Sequence, residues 1–300
     1  MALHLALEVD GDFASLPDHV TAAERAGVAL VTIADSPLPP AGGGIRIEAG
    51  VRAAFLARRT SRIGLAPTLH ATVTEPFHLA TQLASLDHAS LGRAGWVVGA
   101  ERSRQAYATV GEPPLAGAEL RRELEDVIDV ARRLWDSWED DAVIRDVATG
   151  RFLDADRVHH VGFTGARFSV AGPLITPRPP QGQVVVIGWD TLGVTSRLDV
   201  ALVGGGTVDE VIARARRARE DGAPLVFASV AYDGGSGLPV DRLVGAVDGV
   251  HARVSDLAVD LPRLLTETGP RPPLGATLRD TLGLPRPANV FANAGQEPTA

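Results

Sequence analysis

The chain has 300 residues, 45% of them hydrophobic and 22% charged, and 37 acidic side chains against 29 basic ones give a formal charge of -8. That balance suits a globular chain with a full core, and without any basic block interleaved with aromatics it argues against a nucleic-acid partner. Cysteine is absent and every basic side chain apart from histidine is arginine, which excludes disulfides, thiolate nucleophiles, iron–sulfur clusters and lysine Schiff bases.

Residues 3–9, LHLALEV, predict a first strand, ended by the turn pair Asp10-Gly11. Pro17 opens a helix that places Val20, Ala23 and Ala26 on one face and stops at Gly27. A second strand at 29–35, ALVTIAD, runs into a polar-poor loop, SPLPPAGGG. An amphipathic helix over 48–62 leads to a third strand, IGLAPTL, at 63–69. The next unit is the clearest: a helix over 75–90 with Glu75-Pro76 in its first turn, then a strand, AGWVVGA, at 94–100. The longest helix covers 119–138, where Leu120, Leu124, Val127, Ile128, Ala131, Leu134 and Trp135 keep helical spacing. A charged segment follows, and residues 159–174 predict a hairpin with Gly165 near its turn. Strands at 184–189 and 198–204, a Thr207-capped helix over 207–221 and a strand at 224–232 complete the regular part. DGVHARV at 248–254 is a weaker strand candidate, and short helices and a Pro-rich tail over about 270–300 end the chain.

Strands alternating with helices predict a parallel sheet with crossover helices. With the 248–254 segment the strand candidates number about eight, enough to close a TIM-type (β/α)8 barrel; fewer would leave an open doubly wound sheet. No G-x-G-x-x-G follows the first strand and no phosphate-loop G-x-x-x-x-G-K-[ST] occurs, so the barrel is the preferred α/β architecture. It is expected as one domain over 1–300, with a hairpin-bearing insertion at about 139–174. No apolar run reaches the roughly 18 residues that cross a bilayer. The start, MALHLALEVDGDF, lacks a basic n-region. A cytoplasmic protein without membrane attachment is the expectation.

In such a barrel, function sits where strands end on their C-terminal side. The positions are Asp10, Asp35-Ser36, Thr68 to His70, Gly99 to Glu101, Trp189-Asp190 and Tyr232-Asp233. Asp35 can accept a ligand hydrogen bond, or it can serve as a turn aspartate at a strand end. His70 can donate a proton or a hydrogen bond, and is the catalytic candidate, against the plain alternative of a surface loop histidine. His159-His160 point to opposite faces of a strand, so no metal site is expected there. Trp135 and Trp138 suit core packing or an interface, and Glu139-Asp140-Asp141 a solvated acidic turn. No Ser–His–Asp set or nucleophile elbow is legible.

Four stretches together resemble the bacterial luciferase-like flavin monooxygenases, in the branch of the nitrilotriacetate, EDTA and dibenzothiophene-sulfone enzymes. They are AERAGVALVTIADS (23–36), TVTEPFHLATQLASLDHASLGRAGW (72–96), LWDSWEDDAVIRDVATGRFLDADRVHHVGFTGARFSVAGPLITPRPPQG (134–182) and ATLRDTLGLPRPAN (276–289). The resemblance implies a TIM-type barrel, reduced FMN supplied by a separate flavin reductase, O2 as co-substrate, a small organic substrate and a homodimer; the residues themselves lead to an expectation of no metal.

By that resemblance Asp35, Ser36 and Thr68 lie near the flavin, with His70 where a serine is usual, and Gly99, Trp189, Asp190 and Thr191 complete the implied cofactor contacts. The sequence also departs from the family. Val97 replaces a flavin-contacting asparagine, and Leu120-Arg121 replace an Arg-Tyr pair that helps hold the phosphate. The phosphate loop after the fifth strand reads Gly188-Trp189-Asp190-Thr191-Leu192-Gly193, and the helix after it is largely missing, so a reduced second half of the barrel is expected. A phosphate needs several donors; Asp190 would repel it, leaving Thr191 and an arginine, Arg121 or Arg197, to compensate. Two other readings stay open: a relative that has lost flavin and serves as a binding or partner subunit beside a homologue, and an oxidoreductase using the deazaflavin F420.

Overall fold

The computed structural model describes residues 2–10, 13–40, 42–233, 237–254 and 256–292. Gly11 of the first predicted turn, part of the loop after the strand at 225–232, and the last residues of the Pro-rich tail lie outside them.

In chain order the elements begin β1 (His4–Val9), α1 (Leu16–Arg25), β2 (Leu30–Ile33), α2 (Ala49–Ala57), β3 (Gly64–His70), α3 (Pro76–Ser90), β4 (Gly95–Gly99), α4 (Arg104–Ala108) and α5 (Gly117–Asp136). Two small hairpins follow, β5 (Val143–Asp146) with β6 (Arg151–Leu153), and β7 (Phe163–Thr164) with β8 (Ser169–Val170). The chain continues with β9 (Val185–Trp189), β10 (Val200–Val203), α6 (Val208–Glu220), β11 (Leu225–Tyr232), α7 (Val240–Leu243), β12 (Gly249–Val254), α8 (Leu257–Thr268) and α9 (Leu278–Leu282).

Eight strands close a parallel barrel in the order β1-β12-β11-β10-β9-β4-β3-β2. The weak strand candidate is the closing one: β12 pairs with β1 from His4↔Gly249 to Glu8↔Arg253, and with β11 on its other side. Its signal is weak because His251 and Arg253 interrupt the apolar run. The reduced second half is also present. Between β9 and β10 the helix gives way to two 3-10 turns, Asp190–Leu192 and Thr195–Arg197.

Alternation along β1 sends Leu5, Leu7 and Val9 outward against the helices, while Ala6 joins the lumen. The helices are specified locally. Glu75 accepts from the N–H groups of Phe77 and His78 at the start of α3, and the helix ends in the left-handed Leu91, φ 58°, before Gly92. The long α5 buries the predicted apolar stripe, and Trp135 donates its indole N–H to the Ala80 carbonyl of α3.

Three segments depart from the sequence reading. The charged segment after α5 contains the β5–β6 hairpin; its strands are short and mostly exposed, so alternation carries no signal. Glu139-Asp140-Asp141 is not simply solvated: Glu139 pairs with His159 at 2.8 Å, and Asp140 with Arg178 and Arg286 at 3.0 and 2.6 Å. The Arg286 guanidinium holds the Asp140 carboxyl down at about 2. The Pro-rich tail, in turn, carries α9, and Leu278, Leu282 and Leu284 insert into the lumen from below, beside Leu30, Ala66, Val185 and Val200. The plug is tied in place by Arg279, whose guanidinium reaches Asp199 at 3.2 Å and the Gln183 carbonyl at 2.8 Å.

Candidate functional site

The lumen is layered by the two-residue alternation of its strands. Ala6, Leu30, Ala66, Val97, Ile187, Leu202 and Phe227 form an apolar layer. Two residues further along, at the C-terminal mouth, stand Glu8, Thr32, Thr68, Gly99, Trp189 and Ser229. A cavity of about 290 Å³ lies there, lined by Glu8, Thr32, Asp35, Thr68, Gly99, Trp189, Leu202 and His251 among others. It shares Asp35 and Thr68 with a wider cleft of about 780 Å³ that also takes in Ser36, Arg46, Glu48, His70 and His78. Cleft and mouth therefore adjoin.

Six of the eight residues singled out from the sequence come together here: Asp35 and Thr68 line both spaces, Ser36 and His70 the cleft, and Gly99 and Trp189 the mouth. Asp35 is already engaged. Its two carboxylate oxygens accept from the N–H groups of Ser36 at 2.8 Å and Ala49 at 2.6 Å, fixing the start of α2. The Ser36 hydroxyl accepts from Leu38 N–H at 3.2 Å. His70 places Nε2 3.3 Å from the Asp35 carbonyl, and its buried Nδ1 has no hydrogen-bond partner within the protein. Gly99 is required by that imidazole, since a Cβ there would stand 2.7 Å from Nδ1.

Asp190 and Thr191 line neither space. Thr191 is exposed. The compensation expected from Arg121 or Arg197 is not made. Arg121 pairs with Glu125 at 3.0 Å and Arg197 with Asp129 at 2.9 Å. Asp190 is instead clamped by Arg214 of α6, whose Nε lies 2.8 Å from Oδ2 and whose Nη2 bonds Oδ1. Arg214 also donates to the Gly204 carbonyl. His159 and His160 diverge as expected, to Glu139 and to the Gly172 carbonyl. Among the described residues no group of three metal-ligating side chains comes together.

Three residues of the mouth, Glu8, Thr32 and His251, escaped the sequence reading, which looked only past the strand ends. His251 is 1% exposed and bridges two hydroxyls: Nε2 lies 2.8 Å from Thr32 Oγ1, and Nδ1 3.0 Å from Ser229 Oγ. The intervening strand offers only Ala6 at that level, registered against His251, which leaves room for the ring to reach β2. Burial, reinforced by the Arg253 charge, lowers the His251 pKa to about 4, so the imidazole is neutral near pH 7. Glu8 is half-buried, and burial, helped by Asp10 and opposed by Arg253, raises its carboxyl above the usual range. The available signal was polar residues at inward-facing positions of otherwise apolar strands.

A family model described as luciferase-like monooxygenase matches residues 3–231. The chain belongs to this family. N-acetyl-S-(2-succino)cysteine monooxygenase of Bacillus subtilis (strain 168) is 45% identical over 143 residues, 47% of this chain and 32% of that protein. Nitrilotriacetate monooxygenase component A of Aminobacter aminovorans is 39% identical over 135 residues, 45% of this chain and 30% of that one. One of the subunits of pristinamycin IIA synthase of Streptomyces pristinaespiralis is 38% identical over 167 residues, 56% of this chain and 54% of that one. The matches thus span about a third of the first two relatives and about half of the third. Among solved structures, EDTA monooxygenase from Chelativorans sp. BNC1 superposes with a TM-score of 0.79 at 18% identity, covering 95% of this chain and 99% of that one. It supports the same barrel fold.

A flavin needs a flat slot, hydrogen-bonding groups for its ring edge, and donors for its phosphate. This luciferase-like chain offers a cavity at the barrel mouth with hydrogen-bonding groups on one side. Val97, Trp189, Leu192 and Leu202 form an apolar wall and Glu8, Thr32 and His251 a polar one, while Gly99 makes room for the neighbouring His70 imidazole. The phosphate end is less well served. The N–H groups that begin α2, α3 and α6 are taken by Asp35 and Glu48, by Glu75, and by Thr207 and Glu210. Arg46 is the arginine that lines the cleft.

Proposed function

We propose that this luciferase-like chain is an FMN-dependent monooxygenase of a small organic substrate, working with a separate flavin reductase in the cytoplasm, and that it forms a homodimer. The observation that carries the reading is the adjoining mouth and cleft at the C-terminal end of the barrel, one wall apolar around Trp189 and the other polar around Thr32. Bound reduced flavin would supply the electrons and the oxygen-activating chemistry. The chain's own residues orient and shield it. Trp189 and Leu202 exclude water from the mouth, Thr32 and Glu8 offer hydrogen bonds, and Arg46 faces the cleft where a charged group enters. His70 and His78 line the same cleft as polar groups, with His70 Nδ1 itself packed against Gly99. The names of the relatives suggest organic acids or sulfur compounds as the substrate class. The test is O2 consumption by the purified chain with enzymatically reduced FMN, with release of hydrogen peroxide measured alongside. Substrate-dependent consumption supports the reading, and consumption no faster than that of free reduced FMN rejects it.

A second reading follows from Asp190 and Arg214. Their pairing closes the loop that the family resemblance assigns to the phosphate. One relative is, moreover, a subunit of a synthase with two matching subunits, the second at 36% identity over 103 residues. The chain would then pair with a longer homologue that carries the flavin. Flavin retained by the singly expressed, purified chain would reject this reading.

A further inference from the structure

The polar wall of the mouth is built like a ligand contact rather than like packing. Thr32 and His251 are buried to 3% and 1% exposure, yet both border the 290 Å³ cavity. His251 spends both ring nitrogens on the hydroxyls of Thr32 and Ser229. Its role is thus to hold Thr32 Oγ1 in one orientation at the cavity wall. Glu8 stands beside Thr32, its register partner across β1 and β2. Its side chain borders this cavity and also a second one of about 340 Å³ that contains Asp10, His19, Arg253 and Asp256.

We infer that the mouth grips its ligand through a proton-carrying Glu8 carboxyl and through Thr32, a contact positioned by His251, so that ligand binding takes up a proton. The ligand group that fits is a neutral carbonyl or ring nitrogen, which accepts a hydrogen bond from the Glu8 carboxylic acid. The proton comes from solvent and ends on the Glu8 carboxylate; no other bond changes. The charged groups around Glu8 decide the sign. Arg253 on β12 favours the carboxylate. Asp10, just after β1, disfavours it and is itself partly offset by Arg52 at 3.4 Å; Asp35 beyond β2 and Asp256 before α8 border the two cavities as well. His19 of α1 borders the second cavity, and His251 is held between its two hydroxyls. A ligand seated in the mouth strips water from Glu8 and adds an acceptor, and both effects favour the protonated form. Affinity then falls as pH rises through the range where free Glu8 ionises.

Only the choice of probe rests on the flavin reading. Riboflavin carries the ring without a phosphate, so it tests the mouth independently of the phosphate end. Calorimetric titration of the wild-type chain with riboflavin, in buffers of different ionisation enthalpy, counts the protons taken up. We expect uptake of up to one proton per riboflavin, with affinity falling as pH rises. Glu8→Gln, which keeps shape and hydrogen bonding, should bind with uptake abolished, and Thr32→Val should weaken binding roughly tenfold with uptake retained. Binding without uptake, uptake unchanged in Glu8→Gln, or no riboflavin binding by the folded wild type would each overturn the inference. Oxygenation with reduced FMN, measured separately, decides the catalytic reading.

Discussion

Asp190 Oδ2 lies 2.8 Å from Arg214 Nε, and the other oxygen of the same carboxylate bonds a second guanidinium nitrogen. The pair joins the turn after β9 to α6 and spends a charge on each side. With Asp190→Asn, Arg214 keeps its hydrogen bond to Gly204 but loses its ion-pair partner, leaving only the more weakly acting Glu210 carboxylate to offset its charge. FMN affinity should then rise about tenfold, or ~1.4 kcal/mol, while riboflavin affinity stays constant. Fluorescence titrations of both flavins on both proteins check this. An unchanged FMN-to-riboflavin ratio would place the phosphate elsewhere.

Gly99→Ala sets a methyl 2.7 Å from His70 Nδ1 and 3.1 Å from His70 Cα. The ring can rotate away, but the backbone contact is set by the β3–β4 pairing, Thr68↔Val97 to His70↔Gly99. The expected loss is about 1–3 kcal/mol in urea unfolding, with partial recovery in the His70→Ala background. Full recovery there would show that the backbone contact is relieved by small shifts.

The plug at the opposite end of the barrel makes a similar demand. Leu278 is fully buried, and its methyls fill the gaps left by Gly64 and Gly95. Leu278→Ala should cost roughly 2–5 kcal/mol, whereas Val259→Ala, at a site 48% exposed on α8, should stay within about 0.5 kcal/mol. Equal midpoints for the two variants would show that α9 contributes little to barrel stability.

The barrel was legible because alternation and helix capping are local properties. Glu75, Thr207 and Gly27 mark their boundaries within a few residues of sequence. The site was legible only in part. Asp35 and Gly99 are found by counting to a strand's end, but that count cannot show that both Asp35 oxygens are spent on Ser36 and Ala49. The Asp190–Arg214 pair joins residues 24 apart, and Thr32–His251 residues 219 apart. Such partners depend on how the barrel closes, which no spacing encodes.

His251 also predicts an acid limb in stability. Its pKa falls from 6.5 to about 4 on folding, because burial disfavours the imidazolium. Between those values the unfolded chain binds a proton that the folded chain does not. Its contribution is therefore complete above pH 6.5 and is lost as pH falls toward 4. The loss amounts to about 3 kcal/mol. His4, lowered mainly by burial, adds to the same trend. Melting curves across this range should show a shallower acid limb for His251→Gln than for the wild type. Parallel limbs would mean that the imidazole is charged in the fold.

The most direct test of the account is equilibrium binding of FMN to the purified chain, read by flavin fluorescence and repeated with Trp189→Ala and Thr32→Val. One FMN per chain is expected, bound saturably and weakened by both substitutions. No binding at high micromolar FMN, with the chain folded by circular dichroism, would contradict it and leave the partner-subunit reading in its place.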